Sequence, residues 1–131
     1  MKKIILFFLS LFAITTGFAE SLQLVNQTPY PLKNSKIAVQ WATSAKEVEE
    51  CNNALMYGLK LNPGTLKVLT KSGKINLSIP KEAECFRVLV WSKGEGEPDL
   101  HTNWVDIVPD KTYTLKTDHL VPSVLMSGTG C

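Results

Sequence analysis

The chain has 131 residues, of which 44% are hydrophobic, 8% aromatic and 20% charged. This balance excludes a disordered chain and a protein embedded in a membrane along its whole length, and it suffices for one domain. Residues 1–19 contain two lysines, Lys2 and Lys3, and no acidic residue. The remaining 112 residues contain 12 basic side chains and 12 acidic ones. A chain without net positive charge lacks the electrostatic footprint for nucleic acid or anionic lipid, so neither is expected as a partner.

Residues 1–19 have the three-part pattern of a secretory signal peptide. Two lysines are followed by an apolar run over residues 4–14, and small residues lead to an expected cleavage after Ala19. The run is shorter than the about 20 apolar residues that a membrane-spanning helix needs. The pattern predicts that residues 20–131 form a single exported domain with no membrane insertion after cleavage. The paired lysines and short run are typical of bacterial export, so we expect a periplasmic or secreted protein.

Short runs of alternating polar and apolar residues recur between Pro, Gly and Asn residues. One stretch, 44–53, is helix-like for about two turns, with Ser44 as its cap and Glu47 as the reciprocal partner. The pattern predicts an all-β fold, namely an immunoglobulin-like antiparallel β-sandwich of about eight strands with one short helical segment. The expected strands are 22–26, 36–42, 65–70, 74–79, 84–92, 101–108, 112–117 and 122–127. A further run, 54–61, is expected to flank the turn signal Asn62-Pro63-Gly64 on the side opposite to 65–70.

Residues 107–113, with the sequence Ile-Val-Pro-Asp-Lys-Thr-Tyr, resemble a turn of fibronectin type III and immunoglobulin-like domains. In those domains the turn brings a tyrosine to a corner of the sandwich. The resemblance implies the fold class and carries no implication about activity.

Three cysteines, Cys51, Cys85 and Cys131, belong to the expected exported domain. Disulfides persist in oxidising compartments, and three thiols allow one bridge and one leftover. The spacing fits neither a zinc site nor a Cys-x-x-Cys redox pair. We expect Cys51, in a polar stretch, to be one partner, and both Cys85 and Cys131 remain open as the other. The leftover thiol is expected to be buried, the alternative being a bond between two chains.

Strands 84–92 and 101–108 are expected to form a hairpin in which Leu89 lies opposite Trp104. One face then carries core residues, namely Phe86, Val88, Val90, Val105 and Ile107. The other face places Arg87 opposite Asp106 and groups them with Leu89, Trp91 and Trp104. Exposed apolar patches and tryptophans mark contact sites. These five residues, the aromatic patch, are therefore predicted to bind a protein or a sugar ring, unless the helix-like segment or a loop covers them.

Catalytic and metal-binding patterns are missing from the sequence. His101 and His119 have no metal-ligand spacing, and the acidic run 94–99 lacks the spacing of a calcium loop. No nucleophile stands in a recognisable setting, and no glycine-rich phosphate loop occurs. We therefore expect no catalytic residues, no metal, no cofactor and no enzymatic activity.

The function predicted from these features is an exported, non-enzymatic β-sandwich that binds another protein, as an accessory component of a bacterial envelope or secretion assembly. A secreted factor that acts on a host or a competitor is an alternative. A small carbohydrate-binding module, with Trp91 and Trp104 as stacking surfaces, is a second. A small hydrolase is a third, and it requires a pocket that holds His101 or His119 beside a carboxylate.

Overall fold

The computed structural model describes residues 20–123, which form two β-sheets and one α-helix. This architecture confirms the prediction of an all-β protein with a single short helix in the described part of the chain. The expected leader and the tail with Cys131 lie outside the described residues. In chain order the elements are β1 (Ser21–Asn26), β2 (Lys36–Ala42), α1 (Ala45–Met56), a 3₁₀ turn (Pro63–Thr65), β3 (Leu66–Leu69), β4 (Gly73–Ser78), β5 (Cys85–Trp91), β6 (Leu100–His101), β7 (Val105–Asp106), β8 (Thr112–Leu115), a second 3₁₀ turn (Thr117–His119) and β9 (Val121–Pro122).

The small sheet has the strand order β4-β1-β8, and the large sheet has the order β3-β2-β5-β6-β9, with β7 also paired to β5. All described pairs are antiparallel except β1 with β8, which run parallel. The antiparallel prediction is therefore wrong for β8. A parallel pair cannot be joined by a tight hairpin, and the chain forms β2 to β7, which include all described strands of the large sheet except β9, between β1 and β8.

The core lies between the two sheets and follows the predicted alternation. Ile37, Val39 and Trp41 share the inner face of β2, and the inner face of β5 faces the same core. Val105 and Ile107 pack against this core, which confirms the predicted inner face of the hairpin strands. The buried members are Leu22, Leu24, Ile37, Val39, Trp41, Leu69, Leu77, Phe86, Val88, Val90 and Leu115.

A second apolar cluster lies on the outer face of the large sheet, where α1 packs. Leu55 of α1 contacts a surface made by Ala38, Leu89 and Trp91. All seven residues of β5 are consequently buried. Burial on both faces is typical of a strand that is covered on two sides, so the fold has three layers in the order small sheet, large sheet, helix.

The helix α1 begins at the predicted cap. The Ser44 hydroxyl accepts the main-chain N–H of Glu47 at 3.1 Å, and the Glu47 carboxylate accepts the N–H of the residue before the cap at 2.8 Å. The helix continues to Met56, past the predicted end at residue 53, and so includes the first residues of the run 54–61, over which no strand forms. Leu55 is buried in the added turn, and Gly58, with φ of +66°, follows the end. Leucine, alanine and methionine favour helices, and tertiary burial stabilises this extra turn.

The tyrosine corner expected from residues 107–113 is formed. The Tyr113 hydroxyl donates to the main-chain oxygen of Asp106 at 2.7 Å and accepts the N–H of Val108 at 2.8 Å. Its ring meets that of Phe86 edge to face, with the centroids 5.1 Å apart. Tyr113 thus ties β8 of the small sheet to β7 of the large sheet.

Cys51 in α1 and Cys85 at the start of β5 are both buried and carry free thiols. Burial raises the pKa of each thiol, which lowers its reactivity as a thiolate. The Cys51–Cys85 alternative for the expected disulfide is therefore not formed in the structure. A bond from either thiol to Cys131 would involve a residue outside the described range.

Candidate functional site

The pairing of β5 with β6 and β7 differs from the predicted hairpin. Leu89 lies opposite His101 rather than Trp104, and Phe86 lies opposite Val105. Between these two pairs, three residues (102–104) oppose two, which is the geometry of a β-bulge. At the bulge the main-chain N–H of Val88 donates to the Thr102 hydroxyl oxygen at 2.9 Å. The register differs from the predicted one by two residues at β7 and by three at β6, because the bulge adds one residue. The shift of two leaves the side chains of β7 on their predicted faces, so the alternation could not reveal it, whereas the shift of three places His101 on the face of Leu89.

Arg87 is 1% exposed and is the largest fully buried side chain among the described residues. Its guanidinium donates from Nε to Gln40 Oε1 at 2.8 Å, from Nη1 to Asn52 Oδ1 at 2.9 Å and from Nη2 to the main-chain oxygen of Cys51 at 3.0 Å. Burial lowers the pKa of Arg87 to about 10, so the side chain is charged at neutral pH. Three neutral oxygens therefore hold a buried cation between the large sheet and α1.

The predicted ion pair between Arg87 and Asp106 is wrong, because Asp106 is exposed and lies opposite Cys85. The group that covers Arg87 is Trp104, whose ring centre is 4.6 Å from the guanidinium carbon. The indole N–H of Trp104 donates to Asn52 Oδ1 at 2.9 Å. Asn52 thus holds both side chains at once. The bulge turns Trp104 toward Arg87, so the Arg87 guanidinium already covers one face of the Trp104 ring.

Leu89 and Trp91 are also buried, with exposed fractions of 0% and 4%. The indole N–H of Trp91 donates to the main-chain oxygen of Gly96 at 3.0 Å, and Lys36 Nζ lies 4.2 Å from the centre of the Trp91 ring. The prediction of an exposed aromatic patch is therefore wrong. The helix-like segment covers this face, which was the alternative reading, and Trp91 offers no surface on which a sugar ring could stack.

A cleft of about 430 Å³ opens on the opposite face of β5, between the two sheets. Its floor is apolar and is made by inner-face residues of β1, β5 and β8, while its rim is polar. A concave apolar surface with a few polar groups is the usual form of a binding site. We call it the inter-sheet cleft. It is lined by Leu24, Phe86, Val88, Thr102, Asn103, Val105, Tyr113, Thr114, Leu115, Asp118, His119 and Val121.

A wider depression of about 810 Å³ lies at the turn formed by residues 79–84. Half of the residues that line it are exposed and charged, namely Glu20, Lys81, Glu82 and Glu84. It offers little apolar surface to a ligand, so the inter-sheet cleft is the better candidate despite its smaller volume.

One edge of the inter-sheet cleft is the free edge of β8. The main-chain oxygens of Lys111 and Leu115 accept N–H groups of the β1 segment at 3.0 and 2.8 Å. Main-chain groups of successive residues in a strand point to opposite sides. Thr112 and Thr114 therefore direct their N–H and C=O groups away from β1. Within residues 20–123 no strand pairs with that side of β8, which makes it a template for a further strand.

The inter-sheet cleft holds His119 beside Asp118, which is the placement that the hydrolase alternative requires, but the described residues that line it include no serine or cysteine nucleophile. His119 lies at the cleft rim beside Asp118, but its Nδ1 accepts the N–H of Lys116 at 3.1 Å. In the described part of the chain no hydrogen bond joins His119 to a carboxylate, and no serine or cysteine lines the cleft. His101 is buried elsewhere, with Nδ1 3.0 Å from Ser123 Oγ. Burial, together with the charge of Arg87, lowers the pKa of His101.

Residues 20–123 contain no cluster of three or more His, Cys, Asp or Glu side chains placed to bind a metal ion. None of the helices in this range has the length and apolar character to cross a bilayer.

Comparison of the sequence with protein-family models finds no match, and comparison with curated proteins finds no similar one. The function must therefore be inferred from the fold and the geometry of the inter-sheet cleft.

The cleft was missed at the level of sequence because its floor residues were predicted as ordinary core. Phe86 and Val88 alternate correctly for a buried face, and they are buried. Alternation identifies a face that avoids water, but it does not identify where the two sheets part. The available signal was the exposed pair Thr112 and Thr114 flanking Tyr113 in a strand near the end of the chain.

Proposed function

We propose that the protein is an exported, non-enzymatic binding protein with an immunoglobulin-like β-sandwich, which acts by protein–protein contact. The observation that carries this proposal is the inter-sheet cleft together with the free edge of β8. The signal-peptide pattern of residues 1–19 supports a periplasmic or secreted location. We place it as an accessory component of a bacterial envelope or secretion assembly.

The chemistry of the cleft suits an extended polypeptide segment. Outward N–H and C=O groups of Thr112 and Thr114 can form main-chain hydrogen bonds with such a segment, as in β-augmentation. Alternate side chains of the segment would then point toward the floor made by Leu24, Phe86 and Val88. Main-chain bonds supply affinity, and the apolar floor selects segments with apolar residues at every second position.

A photoreactive amino acid at Thr114 tests whether this edge meets a partner in the cell. Thr114 is exposed and lines the cleft. A probe at Val68, exposed on the edge strand β3 of the large sheet, is the matched control. The Thr114 probe should crosslink to a discrete polypeptide that the Val68 probe does not reach. Failure to crosslink, or identical products from both positions, would overturn the proposal.

Substitution of Thr114 by proline tests whether main-chain pairing matters. Proline has no N–H, and it is tolerated on an edge strand where that N–H faces outward. T114P should therefore keep the fold and lose binding to the crosslinked partner, whereas T114S, which keeps the N–H, should bind normally. Equal binding of the two folded variants would contradict strand addition at β8.

Cell fractionation separates the envelope component from the alternative of a secreted factor that acts on a host or a competitor. Recovery of the protein with its crosslinked partner in the periplasm or outer membrane supports the first. Recovery in the medium, with a partner foreign to the producing cell, supports the second.

A further inference from the structure

We propose that a second cleft, at the opposite edge of the sandwich, binds the carboxylate of an N-acylated amino acid. This edge cleft has a volume of about 340 Å³ and lies between β3, an outer strand of the large sheet, and β4, an outer strand of the small sheet. The inter-sheet cleft lies beside β8, at the other side of the small sheet. The two clefts share no lining residue, so this proposal does not depend on the protein–protein contact proposed above.

Trp41 supplies a hydrogen-bond donor to the edge cleft. Its side chain lines the cleft and is only 6% exposed. The indole N–H groups of Trp91 and Trp104 each have an acceptor within the protein, whereas no described residue accepts the N–H of Trp41. Residues 20–123 contain no fully buried side-chain nitrogen or oxygen that lacks a partner, so the Trp41 N–H reaches open space. A largely buried indole N–H usually has a partner, and in the edge cleft a ligand can provide it.

The charge of the edge cleft is positive. Lys67 lines it, and none of the described residues that line it is Asp or Glu. Lys67 lies opposite Val39, which belongs to the core between the sheets. Because residues opposite each other share a face, Lys67 lies on the side of β3 that borders the cleft. An ammonium group beside an unbonded indole N–H favours a carboxylate, which accepts hydrogen bonds and carries the opposite charge.

The free edge of β4 adds main-chain groups that suit an amide. The N–H of Ile79 donates to the main-chain oxygen of Glu20 at 2.8 Å, so Ile79 directs its main-chain groups toward β1. Successive residues in a strand direct these groups to opposite sides, so Asn76 and Ser78 direct theirs away from β1. Both residues line the edge cleft, and no described strand pairs with that side of β4. The acylated amide of the ligand can therefore pair with this edge.

The remaining lining favours a ligand with a small apolar side chain. Leu66 and Pro80 contribute apolar surface, and the volume is close to the lower limit for ligand sites, about 300 Å³. This space suits a single residue rather than a long segment. A free N-acylated amino acid and the carboxyl-terminal residue of a peptide both have the required carboxylate, amide and side chain.

The indole N–H resonances of the three tryptophans in the intact, ¹⁵N-labelled protein test the proposal. The Trp41 N–H should exchange with water faster than those of Trp91 and Trp104, because it has no acceptor in the protein. N-acetyl-L-leucine should shift the Trp41 resonance in a saturable manner and leave the other two in place. The neutral N-acetyl-L-leucinamide should bind about tenfold more weakly, because it lacks the charged acceptor.

Three results of these measurements would overturn the proposal. They are slow exchange of the Trp41 N–H in the free protein, the absence of a saturable shift with N-acetyl-L-leucine, and equal binding of the acid and the amide. The first would show that the donor already has a partner. The other two would show that the cleft does not select a carboxylate.

The variant K67Q tests the role of the charge. It should weaken binding of N-acetyl-L-leucine about fivefold, the value expected for a partly exposed ion pair. K71Q is the matched control, because Lys71 is also exposed but does not line the edge cleft. K71Q should bind like the unmodified protein. Equal binding by K67Q and K71Q would contradict the assignment of Lys67 to the carboxylate.

The peptide N-acetyl-Ala-Ala-Leu separates the two sources of this chemistry. Tighter binding than that of N-acetyl-L-leucine supports a peptide terminus as the ligand, because the added main chain extends the pairing along β4. Equal or weaker binding supports a free N-acylated amino acid. If neither compound binds, the proposal is wrong, and the proposed function of the inter-sheet cleft is unaffected.

Discussion

The two faces of β5 differ in what covers them. The outer face, with Arg87, Leu89 and Trp91, lies beneath α1 and is closed by hydrogen bonds as well as apolar contacts. The inner face, with Phe86 and Val88, looks into the core and reaches a cleft of about 430 Å³. Both faces are strongly apolar, so hydrophobic pattern alone does not distinguish a sealed surface from one that is open to a ligand.

The closed face is unusual because its central polar group is a cation without a carboxylate partner. Gln40, Asn52 and the main chain of Cys51 supply neutral oxygens to Arg87. A buried group of this kind is tolerated when all its donors are engaged, and removing it leaves acceptors unsatisfied. We therefore infer that the network orients α1 on the sheet, so substitutions on the closed face should cost more stability than substitutions at exposed positions.

The largest effect is expected from R87A. The variant removes a long buried side chain together with its three hydrogen bonds, so the free energy of unfolding should fall by about 4 kcal/mol in urea denaturation. D106A is the control, because Asp106 is exposed and does not pair with Arg87. It should change stability by less than about 0.5 kcal/mol. A comparable loss of stability in D106A would indicate that Asp106 does interact with Arg87, as the sequence predicted.

A smaller effect is expected from L89A, which opens a cavity under α1. Leu89 is fully buried, and such substitutions cost about 3 kcal/mol. The partly exposed Val121 at the cleft is the comparison, and V121A should cost less than about 1 kcal/mol by the same denaturation measurement. If L89A lost as little unfolding free energy as V121A, α1 would not cover the outer face.

The closed face should also make stability depend on pH through His101. Its pKa is lowered in the folded protein by burial and by Arg87, so the unfolded chain binds a proton first as the pH falls. Stability from this group is therefore complete above about pH 6.5 and declines below it, toward the lowered folded pKa. Thermal unfolding measured between about pH 5 and pH 8, the range in which histidine titrates, should show this decline. H101Q should weaken it, and an unchanged decline in H101Q would show that another group causes it.

The smallest effect is expected from S44A at the start of α1. Loss of the hydroxyl that accepts the Glu47 N–H should cost about 1 kcal/mol. S72A, at an exposed loop position, is the control and should be neutral within about 0.5 kcal/mol. A neutral S44A would mean that packing of α1 on the sheet, rather than its cap, determines where the helix begins.

Several features of the fold were predictable because they depend on neighbours in the sequence. Alternation over two residues placed Phe86, Val88 and Val90 on a core face. The Ser44 cap depends on a residue three positions away. The corner at Tyr113 joins two residues only seven positions apart in the sequence, which a local turn motif specifies.

The amino-acid sequence by itself determined the class of fold, the faces of the strands and the position of the helix cap, because each follows from local periodicity. Only the tertiary structure decided that α1 covers Leu89 and Trp91, that a bulge at 102–104 turns Trp104 onto Arg87, and that the sheets part beside β8. Periodicity predicts which face of a strand is buried. Which element buries that face depends on how elements distant in the chain pack together.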